Sequence, residues 1–136
     1  MIHANQLIAR LGWHDRRRLL SIGEDVRLSP GNVLFECGED AASVFFPTEG
    51  AVVLTVPSAP TRGLGRLLVG TEGMLGMHRV LGDHRSTKRA TAQTSGSGVR
   101  INAPEFGRVL EFSHTPLGVM LDYVGGVVNQ AAAAAA

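Results

Sequence analysis

The sequence predicts a mainly β domain with flanking helices, an α+β sandwich or jelly roll, and three observations carry that prediction. From Asp25 to Ile101, short apolar runs are separated by Gly, Pro and Ser, the pattern of strands and turns. Before and after that stretch, apolar residues recur at helical spacing. The chain has 136 residues, of which 44% are apolar and 18% charged, which suits one domain with a single core.

The N-terminal elements are two short helices. "NQLIARLG" sets Leu7, Ile8 and Leu11 on one face and stops at Gly12. "HDRRRLLSIGE" offers Asp15 as an N-cap and Leu19, Leu20 and Ile22 as apolar positions before Gly23. Arg16 to Arg18 read as the solvated side of that helix. Strands follow in "DVRLSPG", "NVLFECGE", "SVFFPTEG", "AVVLTVPS", "LGRLLVG" and "SGVRINAP". "PSAPTRG" reads as a hairpin tip, because its prolines cannot donate ladder hydrogen bonds. "GSG" at Gly96–Gly98 reads as a strand-joining turn.

The chain then returns to helix. "APEFGRVLEF" places Phe106, Val109 and Leu110 on one face, with Pro104 in the first turn. "TPLGVMLDYVGGVVNQAAAAAA" has Thr115 as its N-cap and an apolar stripe of Leu117, Met120, Leu121, Val124, Val127 and Val128. That stripe packs either on a second copy as a dimer seam or on the chain's own roll. Gly125–Gly126 marks a bend, a close helix crossing or a break. The domain division is 1–112 for the roll with its N-terminal helices and 113–136 for the long helix.

Composition excludes several functions. Cys37 is the only cysteine, so neither an internal disulfide nor a four-cysteine zinc site can form, and it reads as a buried thiol. The five histidines show no metal-site spacing, and no metal is expected. No nucleophile elbow is present, so the chain does not read as an enzyme. No apolar run reaches the roughly 18 residues of a membrane span, and no signal-peptide pattern opens the chain, which predicts a cytoplasmic protein without a membrane partner.

Charge is unevenly spread. Arg62 to Arg100 holds seven Lys or Arg against Glu72 and Asp83, which marks the middle of the chain either as a site for an anionic partner or as a solvated basic face. Within it, "GTEGMLGMHRVLGDHRSTKRA" (70–90) combines glycines with a cluster of bases. Glycine backbone lets N–H groups approach an anion closely, and an arginine can clamp it with two charge-assisted hydrogen bonds. Gly73, Gly76 and Arg89 are the candidates for those parts.

Taken together, "NQLIARL", "LSPGNVLFECGE", "VFFPTEGAVVL", "VGTEGMLGMHRVLG" and "KRATAQ" resemble the sensory domain of Crp/Fnr-superfamily bacterial transcriptional regulators, over roughly Asn5 to Gln130. The resemblance implies a cyclic-nucleotide-binding-like double-stranded β-helix, or jelly roll, with N-terminal helices and a long C-terminal dimer helix. It makes 70–92 the phosphate-binding cassette and implies a small-molecule effector such as cyclic AMP or cyclic GMP. The implied ligand-binding residues are Glu72, Gly73, Gly76, Met77, Arg89 and Ala90, with Arg89–Ala90 similar to the family's arginine–alanine pair.

The residue after Gly76 departs from the family pattern. Met77 stands where a glutamate would accept a ribose hydroxyl, and a thioether cannot do so. A cyclic nucleotide, another small effector, and a degenerate pocket in a dimerisation module therefore all stay open. The family also carries a C-terminal helix-turn-helix domain, for which no residues remain here. The expectation is the sensor part of a longer regulator, with a short family member acting through a partner as the alternative, and a homodimer that meets DNA only through that further domain.

Overall fold

The computed structural model describes residues 3–40, 42–56, 66–80, 82 and 85–135, with residues 128 and 130–135 as backbone. Two short helices, α1 (Gln6–Ala9) and α2 (Trp13–Ser21), lead into β1 (Gly23–Leu28), β2 (Val33–Phe35), β3 (Ser43–Glu49), β4 (Val52–Thr55) and β5 (Arg66–Val69). A 3₁₀ turn at Met77–Arg79 precedes β6 (Arg89–Ala92) and β7 (Gly96–Asn102), and α3 (Ala103–Phe112) and α4 (His114–Ala135) close the chain. The strands form two antiparallel sheets, in the orders β1-β7-β3 and β2-β6-β4-β5. This is the jelly-roll arrangement with flanking helices that the strand spacing predicts.

Alternation along β3 builds both halves of the core. Val44 and Phe46 face the helices, packing with Ile8, Leu19, Phe106 and Met120, while Phe45 points between the sheets toward Phe35, Leu54 and Leu75. The α4 helix therefore shares the core of the roll through Val119 and Met120.

Several local expectations are corrected. The α2 helix starts at Trp13 behind Gly12, so Asp15 sits in its first turn, where a carboxylate still favours the positive end of the helix dipole. Arg16 is not decoration: its guanidinium donates to the carbonyls of Ala9 and Leu11 at 3.0 and 3.1 Å, satisfying groups left open at the end of α1. Arg17 and Arg18 do face outward, stacked over Trp13 and Phe112.

Cys37 is exposed rather than buried, because the turn after β2 carries it to the surface, where its thiol donates to the Thr87 carbonyl at 3.4 Å. Gly96–Gly98 opens β7, paired with β1 and β3, instead of forming a turn. "RATA" forms β6, a strand that its small apolar residues did not announce. The α4 helix begins at His114, which places Thr115 and Pro116 inside its first turn. It runs unbroken through Gly125 and Gly126, and apart from the adjoining residues and the helix's own backbone no described atom lies within 4 Å of a Cβ built at either glycine. The "PSAPTRG" segment lies outside the described residues.

Candidate effector-binding site

The cassette begins where β5 ends. Gly70 donates its N–H to the Glu72 carboxylate at 2.9 Å, and the chain then runs through Gly73 and Met74 to Leu75, whose backbone exchanges hydrogen bonds with Phe45 at 2.8 and 3.1 Å. Gly76 has φ +92°, a left-handed conformation that a side chain would strain, and it turns the chain into the 3₁₀ segment.

Residues 85–88 return along the opposite side. They are stapled to the turn after β2: Gly38 donates to the Ser86 carbonyl at 2.6 Å, Ser86 donates to that of Glu39 at 3.2 Å, and Arg85 forms a bridge pairing with Asp40. The buried Ser86 hydroxyl accepts from Lys88 N–H at 3.1 Å and donates to its carbonyl at 2.7 Å, which fixes the turn ahead of β6. Asp40 also pairs with Arg79 at 3.5 Å, so both sides of the cassette are tied to one loop.

Between these two sides lies a cavity of about 270 Å³. Its apolar wall is Phe35, Leu54, Met74 and Met77, and its polar wall is Ser86 and Thr87, with Gly76 and His78 beside them. The His78 ring meets Phe35 edge to face, with centroids 5.6 Å apart. Arg85 and Lys88 are the charged residues that line it, and no acidic side chain is among its described lining residues. The local field therefore favours an anion.

Of the residues that the sequence nominated, the structure brings Gly76 and Met77 to this cavity. Arg89 is placed elsewhere. Ala90 and Ala92 point into the core, so alternation along β6 turns Arg89 outward, where it forms a bidentate pair with Glu36 at 2.6 and 3.1 Å. That pairing raises the guanidinium's already high pKa. Ala90 is buried between the sheets with Phe35 and Leu54.

Glu72 and Gly73 face α4 rather than the cavity. Glu72 lines a groove between β5 and α4, and a side chain at Gly73 would overlap the Tyr123 ring. The base that reasoning from the arginine–alanine pair missed is Arg85. No local signal marked it, because β6 is not announced in the sequence and tertiary pairing with residues 38–40 places Arg85.

The long-helix stripe is divided. Met120 is wholly buried in the chain's own core and Val124 nearly so, because α4 lies against the helical side of the roll. Leu117 and Val127 are half-buried, Leu121 is 48% exposed, and the Val128 side chain lies outside the described residues.

No protein-family model and no curated protein matches the chain. Solved structures do. A candidate cyclic nucleotide-binding protein from Geobacter metallireducens GS-15 superposes with a TM-score of 0.74 at 20% identity, over 93% of this chain and 91% of that one. The sensor domain of the transcriptional regulator DNR from Pseudomonas aeruginosa gives 0.69 at 17% identity, over 91% and 81%. The Thermus thermophilus catabolite activator protein gives 0.67 at 16%, over 95% of this chain and 59% of that one.

These likenesses establish the fold as that of the cyclic nucleotide-binding domains found in Crp/Fnr-type regulators, as the sequence resemblance implied. Among the described residues, no helix is long and apolar enough to cross a membrane.

Proposed function

We propose that this chain is the ligand-sensing regulatory domain of a Crp/Fnr-like transcription regulator, taking a small anionic effector in the cassette cavity. The observation that carries the reading is a preorganised cavity lined by Arg85 and Lys88 with no described acid on its wall. A cyclic nucleotide is one such anion, its phosphate meeting Arg85, Lys88 and the Gly76 backbone. Occupancy would shift the cassette, and the packing of Gly73 on Tyr123 would pass that shift to α4. A second copy docked over Leu117, Leu121 and Val127 would then reset any DNA-binding domain attached to the helix.

Calorimetric titration with cyclic AMP and cyclic GMP, on the wild type and on Arg85→Ala, tests this reading. Saturable binding lost in the variant supports it. Met77 favours a second reading, a dimerisation module whose pocket no longer binds nucleotides, because no carboxylate among the described lining residues replaces the missing one. Absence of heat with both nucleotides supports that alternative for nucleotides, leaving other anions to be tried.

A further inference from the structure

A second cavity adjoins the cassette. It has a volume of about 130 Å³ and opens between β1 and β2, with Val26, Leu28, Phe45 and Leu75 among its walls. Phe35 lines both cavities, so its side chain is a shared wall between them.

The backbone explains why the two spaces touch. Met74, Leu75 and Gly76 run in succession, and while Met74 and Gly76 face the cassette cavity, Leu75 faces the second one. Phe35 closes the remaining gap from a three-residue strand whose register against β6 shifts between Val33 and Phe35. A register irregularity of that kind re-aims a side chain beside a site. Phe35 is thus the side chain that stands between the cavities.

The joined space has one charged end and one apolar end. Arg85 and Lys88 stand at the cassette end, Phe35 at the junction, and β1 and β2 side chains at the far end. An apolar recess of this size is close to the engineered cavities of about 150 Å³ that take up benzene. Ser43 and Arg100 are the polar residues among its described lining, and Arg100 pairs with Glu24 at 2.9 Å.

We infer that the effector is an amphiphilic anion, a carboxylate or phosphate carried on an acyl or similarly slender apolar body. Its head meets Arg85 and Lys88, and its tail displaces the Phe35 ring to enter the recess between β1 and β2. This inference rests on the sensor reading above and names the chemistry of its ligand. Met77 then has a role, as an apolar wall for the first methylenes where a nucleotide would need a carboxylate.

The test is a calorimetric series of straight-chain carboxylates from hexanoate to dodecanoate, each below its micelle-forming concentration, with cyclic AMP alongside. Affinity is expected to rise about fourfold per added methylene and then level off once the recess is full. In Leu28→Trp, which fills the recess, the levelling should come at a shorter chain while the shortest acids bind as before. In Arg85→Ala the whole series should weaken tenfold or more. The wild-type chain-length profile needs no variant, so misfolding of Leu28→Trp does not spoil the test.

Binding that is independent of chain length, or a slope that neither variant alters, overturns the inference. Saturable cyclic AMP binding without carboxylate binding overturns it while leaving the sensor reading intact. If neither class binds, both this inference and the sensor reading for these anions fail together.

Discussion

Tyr123 of α4 packs so closely on Gly73 of the cassette that a Cβ on Gly73 would stand 2.8 Å from the phenol Cζ. The Met74 backbone, one residue along, also acts on the hydroxyl. The contact joins the end of β5 to the long helix without an intervening side chain. A shift of the cassette backbone therefore reaches α4 directly, and a shift of α4 reaches the cassette.

Gly73→Ala should push Tyr123 off its seat and cost about 1–3 kcal/mol, as overpacking of a filled site does. Urea unfolding measures the loss. Paired with Tyr123→Ala, the same alanine should cost little, because the ring it strikes is gone. Equal costs in both backgrounds would separate Gly73 from Tyr123 energetically.

The same phenol predicts a pH dependence. Burial, assisted by the Glu72 charge and opposed by the Met74 backbone, holds the Tyr123 pKa above its usual value. The folded state thus binds this proton more tightly than the unfolded chain. Its contribution to stability is complete below about pH 10, the ordinary tyrosine value, and is lost as pH rises through the folded pKa. Tyr123 is the only tyrosine, so tyrosinate absorbance reports this group alone. Tyr123→Phe should flatten the difference in alkaline stability; identical alkaline profiles for wild type and variant would contradict the assignment.

Asn5 holds the opposite side of the cassette. Its amide is wholly buried, accepts from Leu7 and Ile8 N–H at 3.0 and 3.2 Å, and donates to the carbonyls of Pro47 and Gly73 at 2.8 and 2.9 Å. Asn5→Ala removes the cap of α1 and strands two buried carbonyls, for an expected loss of about 3 kcal/mol. Asn5→Asp should be no better, because a carboxylate offers no donor to those carbonyls. A thermal midpoint unchanged in both variants would show that the network is not under load.

Much of this fold is legible in the sequence because each element carries its own local signal. "SVFFPTEG" is a short apolar run closed by turn residues, Pro104 marks the first turn of α3, and the spacing of Leu7, Ile8 and Leu11 predicts α1. The candidate site is less legible because proximity in it is tertiary. Met74 and Gly76 reach the cavity from one side and Ser86 to Lys88 from the other, and only the staples to Gly38 and Glu39 set their separation. Arg89 drew attention through its neighbour Ala90, although burial of that alanine is the reason Arg89 faces away. Phe35, which divides two cavities, reads in sequence as one more core residue.

The exposed part of α4 makes the dimer testable without damage to the monomer. Val124 is buried against the chain itself, so a charge there would harm folding as well as any seam. Leu121 is an exposed apolar residue on the same helix. Leu121→Asp should leave the stability of the single chain within about 0.5 kcal/mol and convert a dimer to monomer in sedimentation. A dimer that persists in this variant would move the interface off this face of α4.

Arg85 and Arg89 provide the sharpest contrast, since they lie four residues apart and face different surroundings. Arg85 lines the cassette cavity, whereas Arg89 is held by Glu36 on the outer face of β6. For whichever anion binds, Arg85→Ala should lower affinity at least tenfold, the loss expected when a charge-assisted contact is removed. Arg89→Ala should leave affinity within about twofold, because a screened charge outside the cavity contributes little to the bound ligand. Titration of both variants with the same anion decides the matter. A large loss in Arg89→Ala with none in Arg85→Ala would return the anion to the arginine–alanine pair and would require Arg89 to leave Glu36 when the ligand arrives.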